Sequence, residues 1–333
     1  MIEYLGGIKI KGANFWLDAK KRVDFSFVSH AHIDHILRHK KILATKETAK
    51  LVQHRLGEKS KLKIVEYNVP LRIEDLKITL FPAGHILGSS QILIEKEGQR
   101  LVYTGDFKLR KGYTTPQAEI KKCDILIMES TFGLPQYIFP PKEEIEEKIC
   151  KFIEKAFSSN SVPVLLAYSL GKAQEVTKML GDKGYKLSLH GAIFKITEIC
   201  EEFGVRFKNF EYYDKENLEG KVLIAPPYAR NQPLVLNLSK KKTAFLSGWA
   251  VDKDIKYFYE VDAAFPWSDH ADFPELIDYA KKCQPQKIYT VHGFPEFVNF
   301  LKKEGFDAEQ LKEERAFTKE ESKELLLNYD LFR

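Results

Sequence analysis

A seven-residue stretch, SHAHIDH at positions 29–35, constrains this chain more than any other part of its sequence. It follows residues 23–28, where large apolar and small polar residues alternate as in a strand with one buried face. Open α/β sheets place their sites at the carboxyl ends of strands. Imidazole nitrogens and carboxylate oxygens suit a Zn-type ion, and alternate residues of an extended segment share a face. His30 and His32 are therefore predicted to bind one ion, while Asp34 and His35 could reach a second.

The alternative for this stretch is an accidental histidine-rich turn on the surface. Nearly half of the nine histidines lie between His30 and His39. A surface turn would have no reason to follow a strand so closely. We therefore interpret the stretch as a metal site.

The length and composition limit the classes of protein that are compatible with the chain. At 333 residues it exceeds one ordinary domain, so two lobes or one large α/β unit are expected. A hydrophobic fraction of 44% is sufficient for a substantial core, and a charged fraction of 30% indicates a well-solvated surface. The net charge of +5 permits an anionic partner without requiring one.

Cysteine usage and the absence of apolar runs predict a soluble, cytoplasmic protein without a membrane partner. No two of the four cysteines have CxxC spacing, which argues against a disulfide framework or a thiolate zinc site. The amino terminus lacks a basic region followed by an apolar core, so no signal peptide is predicted. No apolar run approaches the roughly 20 residues that span a membrane.

Three more strands are predicted to end in a residue that could belong to the same site. His85 lies on a glycine-flanked loop after 76–81; alone it would more often be structural, but beside the cluster it is the natural third nitrogen ligand. Asp106 follows the strand that begins at residue 101 and could bridge two cations, with a turn residue as the alternative. Glu129 follows the buried strand 124–128.

Asp18 ends a further strand, over residues 13–17, and allows two interpretations. It could accept a hydrogen bond from a ligand histidine and so orient that ligand. It could equally begin a turn before the basic residues 20–22. The sequence does not separate the two.

Taken together, these motifs resemble a known family. HxHxDH, then a lone histidine after a strand, then Gly-Asp, is similar to the ligand order of the metallo-β-lactamase superfamily. ESTFG at 129–133 resembles the β-CASP branch, whose members cut DNA or RNA. Residues 163–175 are similar to the start of the β-CASP insert, 267–272 to its motif B, and 290–293 to its motif C. The resemblance covers nearly the whole chain in the right order.

The resemblance implies the fold and the domain organisation. An α/β protein is expected, with a metallo-β-lactamase αββα sandwich into which a β-CASP α/β domain is inserted. The sandwich would comprise residues 1–145 and 263–333, and the insert residues 146–262. The segment 314–333 is predicted to form a charged amphipathic helix.

Shorter motifs refine the expected function. ESTFGLPQY at 129–137, APP at 225–227 and SGW at 247–249 resemble bacterial and archaeal exonucleases associated with DNA ligase, which are also labelled mRNA 3′-end processing factors. The resemblance implies an exonuclease on single-stranded DNA in DNA repair, working beside a DNA ligase or helicase. RNA processing is the alternative, because His292 resembles the RNA-cutting members.

The resemblance also implies a site with two divalent ions, Zn or Mn, about 3.5–4 Å apart. The first ion would be held by His30, His32, His85 and Asp106, and the second by Asp34, His35, Asp106 and His292. A water between the ions would lose a proton near neutral pH and attack phosphorus.

The other roles belong to catalysis and substrate binding. His270 would protonate the departing oxygen, Glu129 would hold His270, and Asp18 would orient a ligand histidine. The cleft between the lobes would bind substrate. Trp267 and Phe132 could either stack on bases or pack in the core, and the sequence favours neither role. The residues expected to contact phosphates are Ser130, Thr131, Ser169 and Lys172.

Two rival functions are each compatible with part of the sequence. A small-molecule hydrolase of the same superfamily, such as a thioesterase or lactamase, would have no use for Glu129, His270 or so large an insert. A non-catalytic scaffold for nucleic acid would have an eroded metal site, whereas every expected ligand position carries a competent residue. A nuclease is therefore the favoured function.

Overall fold

The strands form three sheets, which the computed structural model divides between two units; it describes residues 1–57 and 59–312. The first unit contains Met1–Lys111, Thr115–Pro135 and the described residues from Ala271 onward. The second unit contains Gly112–Thr114 and Gln136–His270. The helix predicted over 314–333 lies outside the described residues.

The elements of the first unit are named here in chain order. Its strands are β1 (Ile2–Tyr4), β2 (Ile8–Ile10), β3 (Trp16–Leu17), β4 (Phe25–Phe27), β5 (Lys41–Ala44), β6 (Lys61–Ile64), β7 (Leu71–Ile73), β8 (Leu76–Pro82), β9 (Ser90–Lys96), β10 (Gln99–Tyr103), β11 (Ile125–Ser130), β18 (Lys287–Gly293) and β19 (Ala308–Gln310). Its helices are α1 (Lys46–Leu56), α7 (Phe273–Cys283) and α8 (Phe297–Lys303).

The second unit carries the remaining elements. Its strands are β12 (Val162–Leu166), β13 (Lys186–Leu189), β14 (Phe210–Tyr212), β15 (Lys221–Ala225), β16 (Lys241–Leu246) and β17 (Ala263–Phe265). Its helices are α2 (Lys142–Ser158), α3 (Lys172–Asp182), α4 (Gly191–Glu202), α5 (Pro233–Leu236) and α6 (Ile255–Phe258), with 3-10 turns at Pro227–Asn231 and Gly248–Val251.

The first sheet runs in the order β1 to β6, and its later strands are parallel. A parallel pair needs a crossover connection, which α1 supplies between β5 and β6. The hydroxyl of Thr45 caps the start of α1 by accepting a hydrogen bond from the Thr48 N–H, and Gly57 follows its last residue. Both bounds agree with the helix that the amphipathic pattern of residues 46–56 indicates.

The second sheet has the order β19-β18-β11-β10-β9-β8-β7, and its central strands are buried on both faces. In β11, Ile127 packs into the core that both sheets share, whereas Leu126 and Met128 pack into the core that includes side chains of α7 and α8. Successive side chains of a strand point to opposite faces, so apolar residues on both faces imply cover on both sides. The first unit is therefore the expected αββα sandwich.

All neighbouring strands of the third sheet are parallel, in the order β14-β13-β15-β12-β16-β17. Side chains of α2, α3 and α4 form a core on one face, and those of α5 and α6 contribute to the core on the other. This three-layer arrangement is the expected inserted α/β fold. Among the described residues, no helix combines the length and the apolar character needed to cross a membrane.

Replacing a core leucine should separate core packing from surface effects in the second unit. Leu165 of β12 is fully buried, whereas Leu236 at the end of α5 is 56% exposed. Leu165→Ala should lower the free energy of unfolding by about 2–5 kcal/mol because it leaves a cavity. Leu236→Ala should change it by less than about 0.5 kcal/mol. Urea denaturation followed by circular dichroism measures both, and equal losses would contradict the assignment.

Candidate metal centre

The loop after β4 brings its histidines together. The His35 N–H donates to the His32 carbonyl at 3.0 Å, so the chain turns back directly after His32. The rings of His30 and His32 lie 4.8 Å apart between centroids, and those of His30 and His35 lie 4.1 Å apart. His30 and His35 are buried, and Asp34 is partly exposed. The predicted cluster is thus compact in the structure.

His85 and Asp106 reach this loop from the second sheet, and each follows a glycine with positive φ. Gly84 has φ +74°, and a Cβ there would lie 2.4 Å from the Lys108 carbonyl oxygen. Gly105 has φ +53°, and a Cβ there would lie 2.6 Å from Cβ of Ser29. Only glycine fits such positions without strain, so both strand ends turn sharply enough to aim the following side chain.

Donor atoms of His30, His32, His85 and Asp106 all lie within 4.8 Å of one another. Two nitrogen ligands at about 2.0–2.1 Å from a tetrahedral zinc ion lie about 3.3 Å apart. His85 Nε2 is 3.0 Å from His32 Nδ1, and His30 Nε2 is 3.4 Å from Asp106 Oδ2. These separations bracket the expected value. Three imidazoles and one carboxylate are also ligands that zinc accepts, so this group fits the ion.

The remaining predicted ligands gather around His35. His35 Nε2 is 3.5 Å from Asp106 Oδ2 and 3.6 Å from Asp34 Oδ2. The ring of His292 lies 5.0 Å from that of His35. A single oxygen of Asp106 therefore faces nitrogens from both groups of histidines.

A β-bulge places His292. In the pairing of β11 with β18, Glu129 opposes Val291 and Ser130 opposes Gly293, so His292 is the extra residue. Its φ of +50° is uncommon for a residue other than glycine. Bulges of this kind redirect side chains and occur beside active sites. The bulge thus directs an interior strand residue toward His35.

Asp18 sets the protonation of two histidines. Its Oδ2 accepts hydrogen bonds from His35 Nδ1 at 2.8 Å and from the Ser29 hydroxyl at 2.6 Å. Because the single hydroxyl proton of Ser29 goes to Asp18, the contact at 2.9 Å between Ser29 Oγ and His30 must carry the proton of His30 Nδ1. With a proton on Nδ1 of both histidines, Nε2 is the nitrogen that faces Asp106 and that could bind a metal ion.

The electrostatics favour an ionised Asp18 and a neutral His292. Burial alone would raise the pKa of Asp18, but the charge of His35 and the hydrogen bonds of His35 and Ser29 lower that pKa below its usual value. Burial lowers the pKa of His292 well below its usual range, and the charge of Lys20 acts in the same direction. A neutral imidazole is the form that binds a metal ion.

Lys20 is a site residue that the sequence analysis did not identify. Its ammonium donates a hydrogen bond to the Asp34 carbonyl, and its charge acts on the pKa values of Asp34, His35 and His292. The sequence signal was the basic run at 20–22 directly after Asp18. From the sequence alone, that run is only what would follow a turn at Asp18, and nothing local connects it to the metal ligands.

Three predicted residues at the end of β11 contact the backbone around the ligands. Glu129 is fully buried, and its Oε1 accepts a hydrogen bond from the Phe107 N–H at 2.7 Å, next to Asp106. The hydroxyls of Ser130 and Thr131 donate to the carbonyls of Val291 and His292, each at 3.4 Å. Their proposed contacts with phosphate stay a prediction.

The second unit contains most of the other predicted residues, whereas Phe132 lies in the first unit. His270 is partly buried, and its Nε2 lies 3.8 Å from Asp269 Oδ1. The ammonium of Lys172 forms a buried ion pair with the same Asp269 oxygen, and Ser169 is partly exposed. The base stacking suggested for Trp267 and Phe132 is wrong, since both rings are buried at 5% and 2% exposure. Core packing, the alternative, is what the structure shows for Trp267.

Comparison with known proteins identifies the family. Residues 12–147 match the Beta-lactamase superfamily domain, and residues 263–313 match the Zn-dependent metallo-hydrolase RNA specificity domain. The chain belongs to the metallo-β-lactamase superfamily. The structure also contains the cluster of potential metal ligands, rich in histidine, that the motifs had indicated.

Relatives in the superfamily carry different names. A "Probable DNA ligase" from Opitutus terrae is 38% identical over 92% of this chain, which spans only 30% of that protein. A "Probable RNase MJ4" from Methanocaldococcus jannaschii is 26% identical over 86% of each chain. A solved structure of a protein of unknown function from Enterococcus faecalis aligns with a TM-score of 0.60 at 15% identity, covering 88% of this chain and 80% of that chain. That last likeness concerns the fold alone.

The contacts of Asp18 predict graded losses of zinc affinity. Asp18→Asn should weaken zinc binding about 10- to 100-fold, because the amide disturbs the orientation of both His30 and His35. Ser29→Ala removes only the hydrogen bonds that connect Asp18 to His30, so it should reduce zinc affinity by a smaller factor. Asp24→Asn, at a carboxylate whose side chain is 61% exposed, is the matched control. Titration with zinc against a chromophoric chelator measures all three; equal affinities for Asp18→Asn and Asp24→Asn would contradict the role of Asp18.

Proposed function

We propose that this protein is a metal-dependent exonuclease that hydrolyses phosphodiester bonds of single-stranded DNA. The observation that carries the proposal is the convergence of imidazole nitrogens on one oxygen of Asp106, in a chain that also matches a metallo-hydrolase RNA specificity domain. Phosphodiester substrates suit a site that can hold cations, because negative charge develops on their phosphoryl oxygens during hydrolysis.

Two divalent ions, Zn or Mn, are proposed for the site. His30, His32, His85 and Asp106 would hold the first, and Asp34, His35, Asp106 and His292 the second. Bound there, the ions would lower the pKa of a water and neutralise charge on the phosphoryl oxygens. The fit of the donor separations around His30, His32 and His85 supports the first position, and the approach of His35 to both Asp34 and Asp106 supports the second.

The protein's own residues divide the remaining work. His270 is proposed to donate a proton to the departing oxygen, since an imidazole can carry that proton near pH 7. Glu129 is proposed to hold His270 in its donating orientation. Lys20 is proposed to attract an anionic substrate to the loop after β4, because its positive charge lies beside Asp34 of that loop.

The choice between DNA and RNA rests on the relatives. Similarity to a probable DNA ligase extends over 310 residues, nearly the whole chain, and favours DNA. It also supports a role beside a ligase or helicase, because this chain spans only 30% of that protein. The match of residues 263–313 to an RNA specificity domain and the similarity to a probable RNase support RNA as the second candidate. Residues 146–262 are proposed to form the inserted domain of this nuclease.

Cleavage of labelled strands tests the function directly. Single-stranded DNA and RNA of identical sequence, labelled at the 5′ or the 3′ end, are incubated with the protein with and without a chelator. We expect stepwise shortening of the DNA, its loss on chelation, and its return when zinc or manganese is added. Preferred cleavage of RNA would select the second candidate, and activity that persists in chelator would contradict a metal-dependent mechanism.

Replacing His270 separates a nuclease from a small-molecule hydrolase. His270→Ala should lower turnover of the nucleic acid by about 10²- to 10⁴-fold, the usual contribution of a general acid. The zinc content should not change, because His270 is not among the proposed ligands. His54→Ala, at an exposed position of α1, is the control. Unchanged phosphodiester cleavage in His270→Ala would defeat the assignment.

A further inference from the structure

The second unit contains an ion pair, between Lys172 and Asp269, that the stability of helix α3 does not explain. Lys172 is the first residue of α3, and its ammonium binds the carboxylate of Asp269, 97 residues later in the chain. The side chains are only 9% and 1% exposed. A positive charge in the first turn of a helix is disfavoured by the helix dipole. Helix stability therefore does not account for a lysine at this position.

Burying two charges is also a poor way to stabilise a fold. The loss of hydration of both groups offsets most of their attraction, and apolar replacements of such pairs are often neutral or stabilising. What a buried pair does supply is a fixed geometry, because each charge holds the other in place. The ring of Tyr168, whose centroid lies 5.0 Å from the Lys172 ammonium, limits the ammonium further. The position of the Asp269 carboxylate is thus strongly determined.

Asp269 directly precedes His270. The oxygen of Asp269 that binds Lys172 lies 3.8 Å from His270 Nε2. The backbone of His270 is fixed independently, since its N–H donates to the Ser268 hydroxyl at 3.0 Å and its carbonyl accepts from the same hydroxyl at 3.2 Å. Once the backbone is held, the neighbouring carboxylate can act beside Glu129 in orienting the imidazole, since an adjacent negative charge favours the protonated form.

We propose that Lys172 is a positioning residue for His270 that acts through Asp269. Lys172 fixes the carboxylate, and the carboxylate in turn fixes the direction and the charge of the imidazole. This inference rests on the proposed function, in which His270 donates a proton to the departing oxygen. In this proposal Lys172 positions His270 and does not bind phosphate directly, as the sequence had suggested that it would.

A matched pair of variants on α3 tests this role. Lys178 lies on the same helix and pairs with Asp182 four residues later, at a more exposed position. Lys172→Met should lower kcat about 10- to 100-fold, part of what the general acid supplies, with KM and zinc content unchanged. Lys172→Arg should keep most of kcat, and Lys178→Met should keep all of it. A raised KM with unchanged kcat in Lys172→Met would instead indicate a phosphate contact and overturn the proposal.

The double variant shows whether the effect passes through His270. In the His270→Ala background, Lys172→Met should cause no further loss of kcat, because the group that it positions is gone. Multiplied losses would overturn the proposal.

A measurement that does not depend on enzymatic activity tests this inference separately from the nuclease assignment. The imidazole nitrogens of His270, observed by NMR in histidine-labelled protein, should shift in Lys172→Met and in Asp269→Asn but not in Lys178→Met. Unchanged signals in Lys172→Met would overturn the proposal even where the wild type cleaves DNA. Shifted signals in a protein that cleaves no phosphodiester would support the positioning of His270 and reject the proposed function alone.

Discussion

The carboxylate of Asp106 is the point on which the first unit depends. Nitrogens of His30, His35 and His85 lie 3.4–3.8 Å from one of its oxygens. Two of these histidines come from the loop after β4 in the first sheet, whereas His85 and Asp106 follow strands of the second. The ligands can meet only if the core between the sheets holds them in one register. A slip of one residue in β10 would exchange the two faces of that strand and misdirect the turn that aims Asp106.

Tyr103 joins that core to the metal ligands. In β10 its ring lies in the core between the sheets, while its hydroxyl donates to Asp18 Oδ2 at 2.8 Å. A buried hydroxyl needs a partner, and Asp18 supplies it. The same oxygen accepts from Ser29 and His35, so the residue that fixes the ligand tautomers is itself held by the core. Packing and metal chemistry therefore share a side chain, which explains why an acidic residue is tolerated at 2% exposure.

Much of this organisation could be predicted because it is local in the sequence. Alternating apolar residues indicate β8, a short apolar run indicates β10, and the polar residue that follows each strand indicates the ligand edge. The helix α1 was predictable to its last residue, since Thr45 and Gly57 mark its ends. The sequence did not separate the two interpretations of Asp18, because its contacts with His35 and Tyr103 join residues 17 and 85 positions apart.

The less predictable features depend on strand pairing and on burial, which no short window of sequence contains. The position of His292 was expected only by resemblance, because the bulge that aims its side chain exists only where β18 pairs with β11, more than 150 residues earlier. Trp267 and Lys172 show the same limit. Aromatic and basic residues near a nuclease motif suggest contacts with bases and phosphates, yet the structure buries the ring and pairs the ammonium with Asp269. Residue type near a motif indicates which chemistry is available, and burial decides which side chains a substrate could reach.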